Sequence, residues 1–84
     1  MSEDEIILYG TNWCGGTRHA RLLLDRHNVA YKWVDIDCDP ESESFVIKVN
    51  KGYRSVPTIV WPDGSILVEP SDYELAKKLG VTLT

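Results

Sequence analysis

The chain has little sulfur, no excess of basic residues and no long apolar run. Two of its 84 residues are cysteine and one is methionine. Two cysteines do not make the disulfide framework that staples small secreted domains, so they read as thiols kept reduced in a cytosol. Nine lysines and arginines stand against 13 aspartates and glutamates, a net charge of −4. The cations form no dense patch, which argues against nucleic acid as a partner. No apolar run approaches the roughly 20 residues of a membrane-spanning helix. The first residues, Met-Ser-Glu-Asp-Glu, lack the positive and apolar regions of a secretory signal. Repeats, low-complexity tracts and linker-like stretches are missing too. These absences leave a cytoplasmic, monomeric protein with no membrane attachment. It forms one domain over residues 1–84, too short for a second.

What is present is an ordinary globular balance, 43% hydrophobic and 26% charged. Glu5 to Tyr9 is a short apolar run ended by Gly10, as suits a buried strand. Gly15 to about Asn28 reads as a helix, with Ala20, Leu23, Leu24 and His27 on one arc and Arg18, Arg21 and Asp25 on the other. Tyr31 to Ile36 alternates and is rich in β-formers. Asp39 and Pro40 are a helix cap and first turn, Phe45, Val46 and Val49 its buried stripe, and Gly52 its stop. Thr58 to Trp61 and Ser65 to Val68 form a hairpin through Pro62-Asp63-Gly64. Ser71 caps a last helix, with Leu75, Ala76 and Leu79 inward and Gly80 at its end. The order β-α-β-α-β-β-α predicts an α/β fold. Its first two strands are parallel, its hairpin is antiparallel, and three helices flank the four-stranded mixed sheet. Trp33 and Trp61 are assigned to the core or to half-covered faces.

Chemistry concentrates in Thr11-Asn12-Trp13-Cys14-Gly15-Gly16-Thr17-Arg18. Cys14 falls between a buried strand and the first turn of a helix, where unpaired amides and the helix dipole favour a thiolate, the nucleophilic form. Gly15 and Gly16 leave the backbone bare, so a bulky disulfide has room to approach the sulfur. A structural cysteine followed by a glycine loop is the bland alternative. Thr17 stands three residues on, where a dithiol motif carries its second cysteine. Its hydroxyl is placed to donate to the Cys14 sulfur, or else is an ordinary first-turn threonine.

A second constellation is Gly52-Tyr53-Arg54-Ser55-Val56-Pro57-Thr58. Proline just before a strand cannot donate to the ladder, and a Val56-Pro57 bond there is open to the cis form. The cis form would turn the Val56 backbone outward, toward an extended, peptide-like ligand.

Together the Trp13-Cys14 pair and the Arg54-Ser55-Val56-Pro57-Thr58 stretch resemble the glutaredoxin family, and most the small mycoredoxin-like branch. Val34-Asp35-Ile36, Asp63-Gly64 and Pro70-Ser71 fit that branch as well, and the likeness runs from Ile6 to about Leu79. It implies a thioredoxin-like fold and a thiol–disulfide oxidoreductase acting on thiolated proteins with a low-molecular-weight thiol, mycothiol or glutathione. Cys14 then matches the nucleophile, with Trp13, Gly15 and Gly16 around it. Val56 and Pro57 match a Val-cis-Pro pair that holds the cysteinyl part of the thiol. Arg54 matches a position that supports a ligand carboxylate. Ser71 and Asp72 match the helix start that meets the ligand's amino-acid end.

The departures narrow the mechanism. Thr17 removes the resolving cysteine, which favours a monothiol route, and the lysine often found before the nucleophile is replaced by Thr11 and Asn12. Cys-Gly-Gly-Thr is not the Cys-Gly-Phe-Ser pattern of cluster-carrying relatives, so an iron–sulfur cluster or other metal is not expected. A non-catalytic or cluster-binding module is the alternative reading. Cys38, just past the second strand, lies on the same sheet edge as Cys14, and reads as a bystander thiol with a resolving role geometrically open. His19 lies about 140° round the helix from Cys14 and is a poor base. His27, on the apolar arc, reads as a core residue.

Overall fold

The computed structural model describes residues 5–82. The signal-free start read at residues 1–4 lies outside the described residues. The elements are β1 (Ile6–Gly10), α1 (Gly15–Arg26), β2 (Tyr31–Asp35), α2 (Pro40–Val49), β3 (Thr58–Val60), β4 (Ile66–Val68) and α3 (Asp72–Leu79). They fall in the expected order, and their ends differ from the expected ones by a few residues. The largest difference is at α2, which stops at Val49, ahead of Gly52. There the Asn50 side chain donates to the Val46 carbonyl at 2.8 Å and to the Thr58 hydroxyl at 3.1 Å, tying the helix end to β3.

The sheet order is β2-β1-β3-β4. β1 pairs parallel with β2, placing Leu8 beside Trp33, and antiparallel with β3, placing Leu8 beside Ile59. β3 and β4 close the hairpin. Its turn is fixed by Asp63, whose carboxylate accepts from the Ser65 amide at 2.9 Å and the Ser65 hydroxyl at 2.6 Å. A further bond from Lys78 at 3.0 Å anchors the turn to α3. These donors hold the Asp63 carboxyl well below the usual carboxylate range.

Alternation along β1 divides the core. Leu8 points into a cluster with Ala20, Leu23 and Leu24 of α1, Ile59 of β3, Trp61 and Leu75 of α3. Tyr9 faces the other way, its ring 5.1 Å from Phe45 of α2. Thus α1 and α3 cover one face and α2 the other. Trp61 is buried and Trp33 half-buried, with the Arg21 guanidinium 4.2 Å above the Trp33 ring. Arg21 also donates to the Tyr31 hydroxyl at 3.3 Å, so this residue of the polar arc reaches the sheet. His27 is corrected as well: it caps the C-terminus of α1 and is only half-buried, outside the core.

Local chemistry explains the helix starts. The Asp39 carboxylate accepts from the Ser42 amide at 3.4 Å and the Ser42 hydroxyl at 2.8 Å, with Pro40 in the first turn. The Ser42 bonds also lower the Asp39 pKa. At α3, Ser71 and Glu74 bond each other's backbone amides in a capping box.

Two leucines of α1 test this packing. Leu24 is fully buried and Leu22 is 61% exposed. In urea melts, Leu24→Ala is expected to cost about 2–5 kcal/mol, as a cavity under the sheet demands. Leu22→Ala is expected to stay within about 0.5 kcal/mol.

Candidate active site

β1 ends at Gly10 and α1 begins at Gly15, so the intervening turn hangs off the central strand. Thr11 is buried in that turn, and its carbonyl accepts from the Cys14 amide at 3.5 Å. Cys14 is the N-cap of α1, with extended backbone, and its side chain caps no amide of the helix. Its sulfur turns instead toward the proline loop, donating to the Val56 carbonyl at 3.6 Å. The nucleophile candidate is half-buried, at the positive end of a 12-residue helix.

The Val56–Pro57 peptide bond is cis. Pro57 packs closely on the first turn of α1. A Cβ built on Gly16 would stand 3.2 Å from Pro57 Cδ and 3.8 Å from the Cys14 sulfur, whereas one on Gly15 meets nothing. A side chain at Gly16 would thus have to move Pro57 by a few tenths of an ångström, whereas one at Gly15 has open space. Gly15 and Gly16 also line a cleft of about 550 Å³ with His19, Pro70, Ser71, Asp72 and Tyr73. The helix starts of α1 and α3 thus form its two sides.

On its other flank the cysteine turn is bound to the end of β2 and the turn after it. Asn12 donates to Asp35 at 3.1 Å, and the Trp13 indole N–H donates to Asp37 at 2.8 Å. The Trp13 ring stays 66% exposed, so the hydrogen bond orients it without burying it. Asp37 is shared, because the Arg54 guanidinium pairs with its second oxygen and with Glu43 at 2.5 Å. The Trp13 and Arg54 bonds lower the Asp37 pKa, while Glu43 and then Asp37 raise that of Arg54. Arg54 was expected to meet a ligand carboxylate. Two carboxylates of the chain itself already hold it.

Cys38 is exposed on this edge and donates to Asp35 at 3.7 Å. The negative charge of Asp35 is the main cause of a raised Cys38 pKa. A thiol kept protonated is a poor attacking group, which weighs against a resolving role. Among the described residues no group of three or more His, Cys, Asp or Glu is placed to hold a metal ion.

Sequence reasoning did not single out Asp37, Glu43, Glu74 or Tyr73, and it set His19 aside as a poor base. Glu74 carried a readable signal, since it stands three residues after Ser71 in capping-box spacing. Asp37 and Glu43 carried none, because their partners Trp13 and Arg54 are distant in sequence.

Comparison with known proteins places this geometry. The sequence model of the glutaredoxin family matches residues 6–66. A Mycobacterium tuberculosis H37Rv protein named as a glutaredoxin is 39% identical over 79 residues, covering 94% of each chain. Mycoredoxin 1 of Corynebacterium glutamicum is 34% identical over 76 residues, covering 90% of this chain and 94% of its own. In fold, a point variant of a thioredoxin-like protein superposes with a TM-score of 0.80 at 24% identity, covering 93% of this chain and 97% of that one. The glutaredoxin of Archaeoglobus fulgidus gives 0.72 at 24% identity, covering 90% and 86%.

Thr17 needs correction. Its hydroxyl does not donate to Cys14: the residue is fully buried, and Oγ1 has no hydrogen-bond partner among the described residues. The side chain packs on β1, where a Cβ added to Gly10 would meet Thr17 Oγ1 and Cγ2 at 2.6 Å. Thr17 is a wedge between strand and helix. Thr17→Val keeps that shape and deletes an unpaired polar group, so it is expected to raise the unfolding free energy by about 1 kcal/mol. A hydroxyl acting on the thiolate would show itself instead as a large loss of disulfide-reducing activity in the same variant.

Proposed function

The chain belongs to the glutaredoxin family of thiol–disulfide oxidoreductases, and we propose that it reduces mixed disulfides between proteins and a low-molecular-weight thiol by a monothiol route through Cys14. Thr17 carries this reading: one turn along α1, where a second sulfur would have to stand, there is a buried threonine. With no neighbour to complete an internal disulfide, the intermediate on Cys14 is resolved from outside.

The Cys14 thiolate attacks the small-thiol sulfur of the mixed disulfide. That bond breaks, the protein leaves as a thiolate and takes up a proton, and Cys14 now carries the small thiol. A second small thiol, as its thiolate, attacks the same sulfur. This forms the oxidised small-thiol disulfide and frees Cys14, so the two electrons come from two small-thiol molecules. Between the steps Cys14 stays at the N-cap of α1, with its sulfur facing the proline loop at the Val56 carbonyl. The glycine turn and the cleft beside it leave room for the body of the thiol.

In this reading the small thiol is mycothiol or glutathione, the substrates are thiolated proteins, and the protein works as a cytoplasmic monomer. Its two cysteines, both free, suit a reducing compartment. No helix of the described residues is long and apolar enough to cross a membrane.

Cys14→Ser is expected to abolish reduction of mixed disulfides. Cys38→Ser is expected to retain most of the rate, with turnover followed by small-thiol oxidation. Loss of most activity in Cys38→Ser would make Cys38 the resolving thiol and overturn the monothiol route.

A further inference from the structure

Three of the chain's four arginines, Arg18, Arg21 and Arg26, stand on α1. The fourth, Arg54, is held by Asp37 and Glu43, and Arg21 lies over Trp33. Arg18 and Arg26 are exposed, and neither forms an ion pair with any described residue. Arg26 also has a defined setting. Gly15, His19, Leu22 and Arg26 follow at intervals of four, three and four residues, so they share one side of the helix. That side borders a furrow of about 220 Å³ between α1 and α3, walled by His19, Leu22, Leu23, Arg26 and Asp72. His19 and Asp72 also wall the cleft beside Gly15 and Gly16. The furrow is therefore the continuation of that cleft away from Cys14, with Arg26 at its far end. Leu22, 61% exposed, gives it an apolar surface that the core does not use.

A thiolated protein brings a polypeptide to Cys14 as well as a small thiol. With the small thiol in the cleft, the polypeptide on the outer sulfur has two flanks to lie along. The flank of the proline loop carries Asp35, Asp37 and Glu43. The flank of α1 carries His19 and Arg26, with Asp72 the one acid on the furrow wall. In a chain of net charge −4, this basic flank complements an acidic segment. Arg26 stands about 16 Å along the helix from Gly15, a span that an extended chain covers in about five residues.

We propose that the furrow between α1 and α3 is the docking groove for the polypeptide of the thiolated substrate, and that Arg26 recognises a carboxylate about five residues from the modified cysteine. Leu22 is the apolar floor on the way to it. The inference rests on the mixed-disulfide reading above and names the kind of protein partner within it.

The test uses three mixed disulfides of one small thiol, glutathione or, where that is inert, mycothiol. One is with 2-mercaptoethanol. The others are with a cysteine peptide that carries leucine at the third position and either two glutamates or two glutamines at the fifth and sixth, the segment built on each side of the cysteine in turn. In one orientation the unmodified protein is expected to reduce the glutamate peptide with about threefold higher kcat/KM than its glutamine twin, the gain lying in KM. Arg26→Gln is expected to remove that preference and Arg26→Lys to keep most of it, while both reduce the mercaptoethanol disulfide at the unmodified rate. Equal rates on the two peptides in both orientations, or a preference that survives Arg26→Gln, overturn the inference and leave the monothiol route standing. Arg26→Gln slowed alike on all three disulfides would give the furrow to the small thiol, and a dimer that it dissociates in sedimentation would give the furrow to a second copy. Either result overturns the inference too. Failure of the unmodified protein to reduce any of the three, with both small thiols, overturns the mixed-disulfide reading, and this inference with it.

Discussion

β1 is the strand on which the site hangs. Among the described residues it is the only strand with a neighbour of each kind, parallel β2 on one side and antiparallel β3 on the other. Both pairings bring chemistry to its C-terminal end. The parallel partner delivers Asp35 and the turn carrying Asp37 to that edge. The antiparallel partner enters there, preceded by Arg54, Val56 and Pro57. Cys14 needs only the short turn after Gly10 to stand between them. The burial of Leu8 against α1, Ile59 and Leu75 holds β1 in place, so the packing of one face of the sheet also fixes the position of the sulfur.

Two kinds of contact convert that topology into a defined site. One is steric: the α1 backbone at Gly16 packs so closely on Pro57 that a Cβ there would stand 3.2 Å from its ring. The other is electrostatic: Asp37 joins Trp13, beside the nucleophile, to Arg54, beside the proline pair. The second contact is exposed, and an exposed ion pair adds little to stability. Its consequence is orientation. It fixes the Trp13 ring and commits the one arginine next to the proline loop to the chain's own acids.

Much of this was legible because the signals were local. Asp39-Pro40, Pro62-Asp63-Gly64 and Ser71 each act within a few residues, and each does in the structure what its chemistry demands. The position of Cys14 between a strand and a helix was legible for the same reason. The errors lie where a side chain chose between a near and a distant partner. Thr17 was assigned to the sulfur on its own helix, but the close approach of β1 at Gly10 draws it inward. Arg21 was read only as lying on the polar arc of α1, and its partners, the Trp33 face and the Tyr31 hydroxyl on β2, come from a distant strand. The pairing of Arg54 with Asp37 and Glu43 was not legible, because they become its neighbours only when β2, α2 and the proline loop are assembled.

The central claim is that one sulfur carries the covalent intermediate and that nothing within the protein resolves it. The most direct measurement is mass spectrometry of the protein quenched by acid and alkylated during turnover on a mixed disulfide. The account predicts the small thiol attached to Cys14, with Cys38 recovered as the alkylated free thiol. A Cys14–Cys38 disulfide, or the small thiol accumulating on Cys38 while Cys14 stays free, would contradict it.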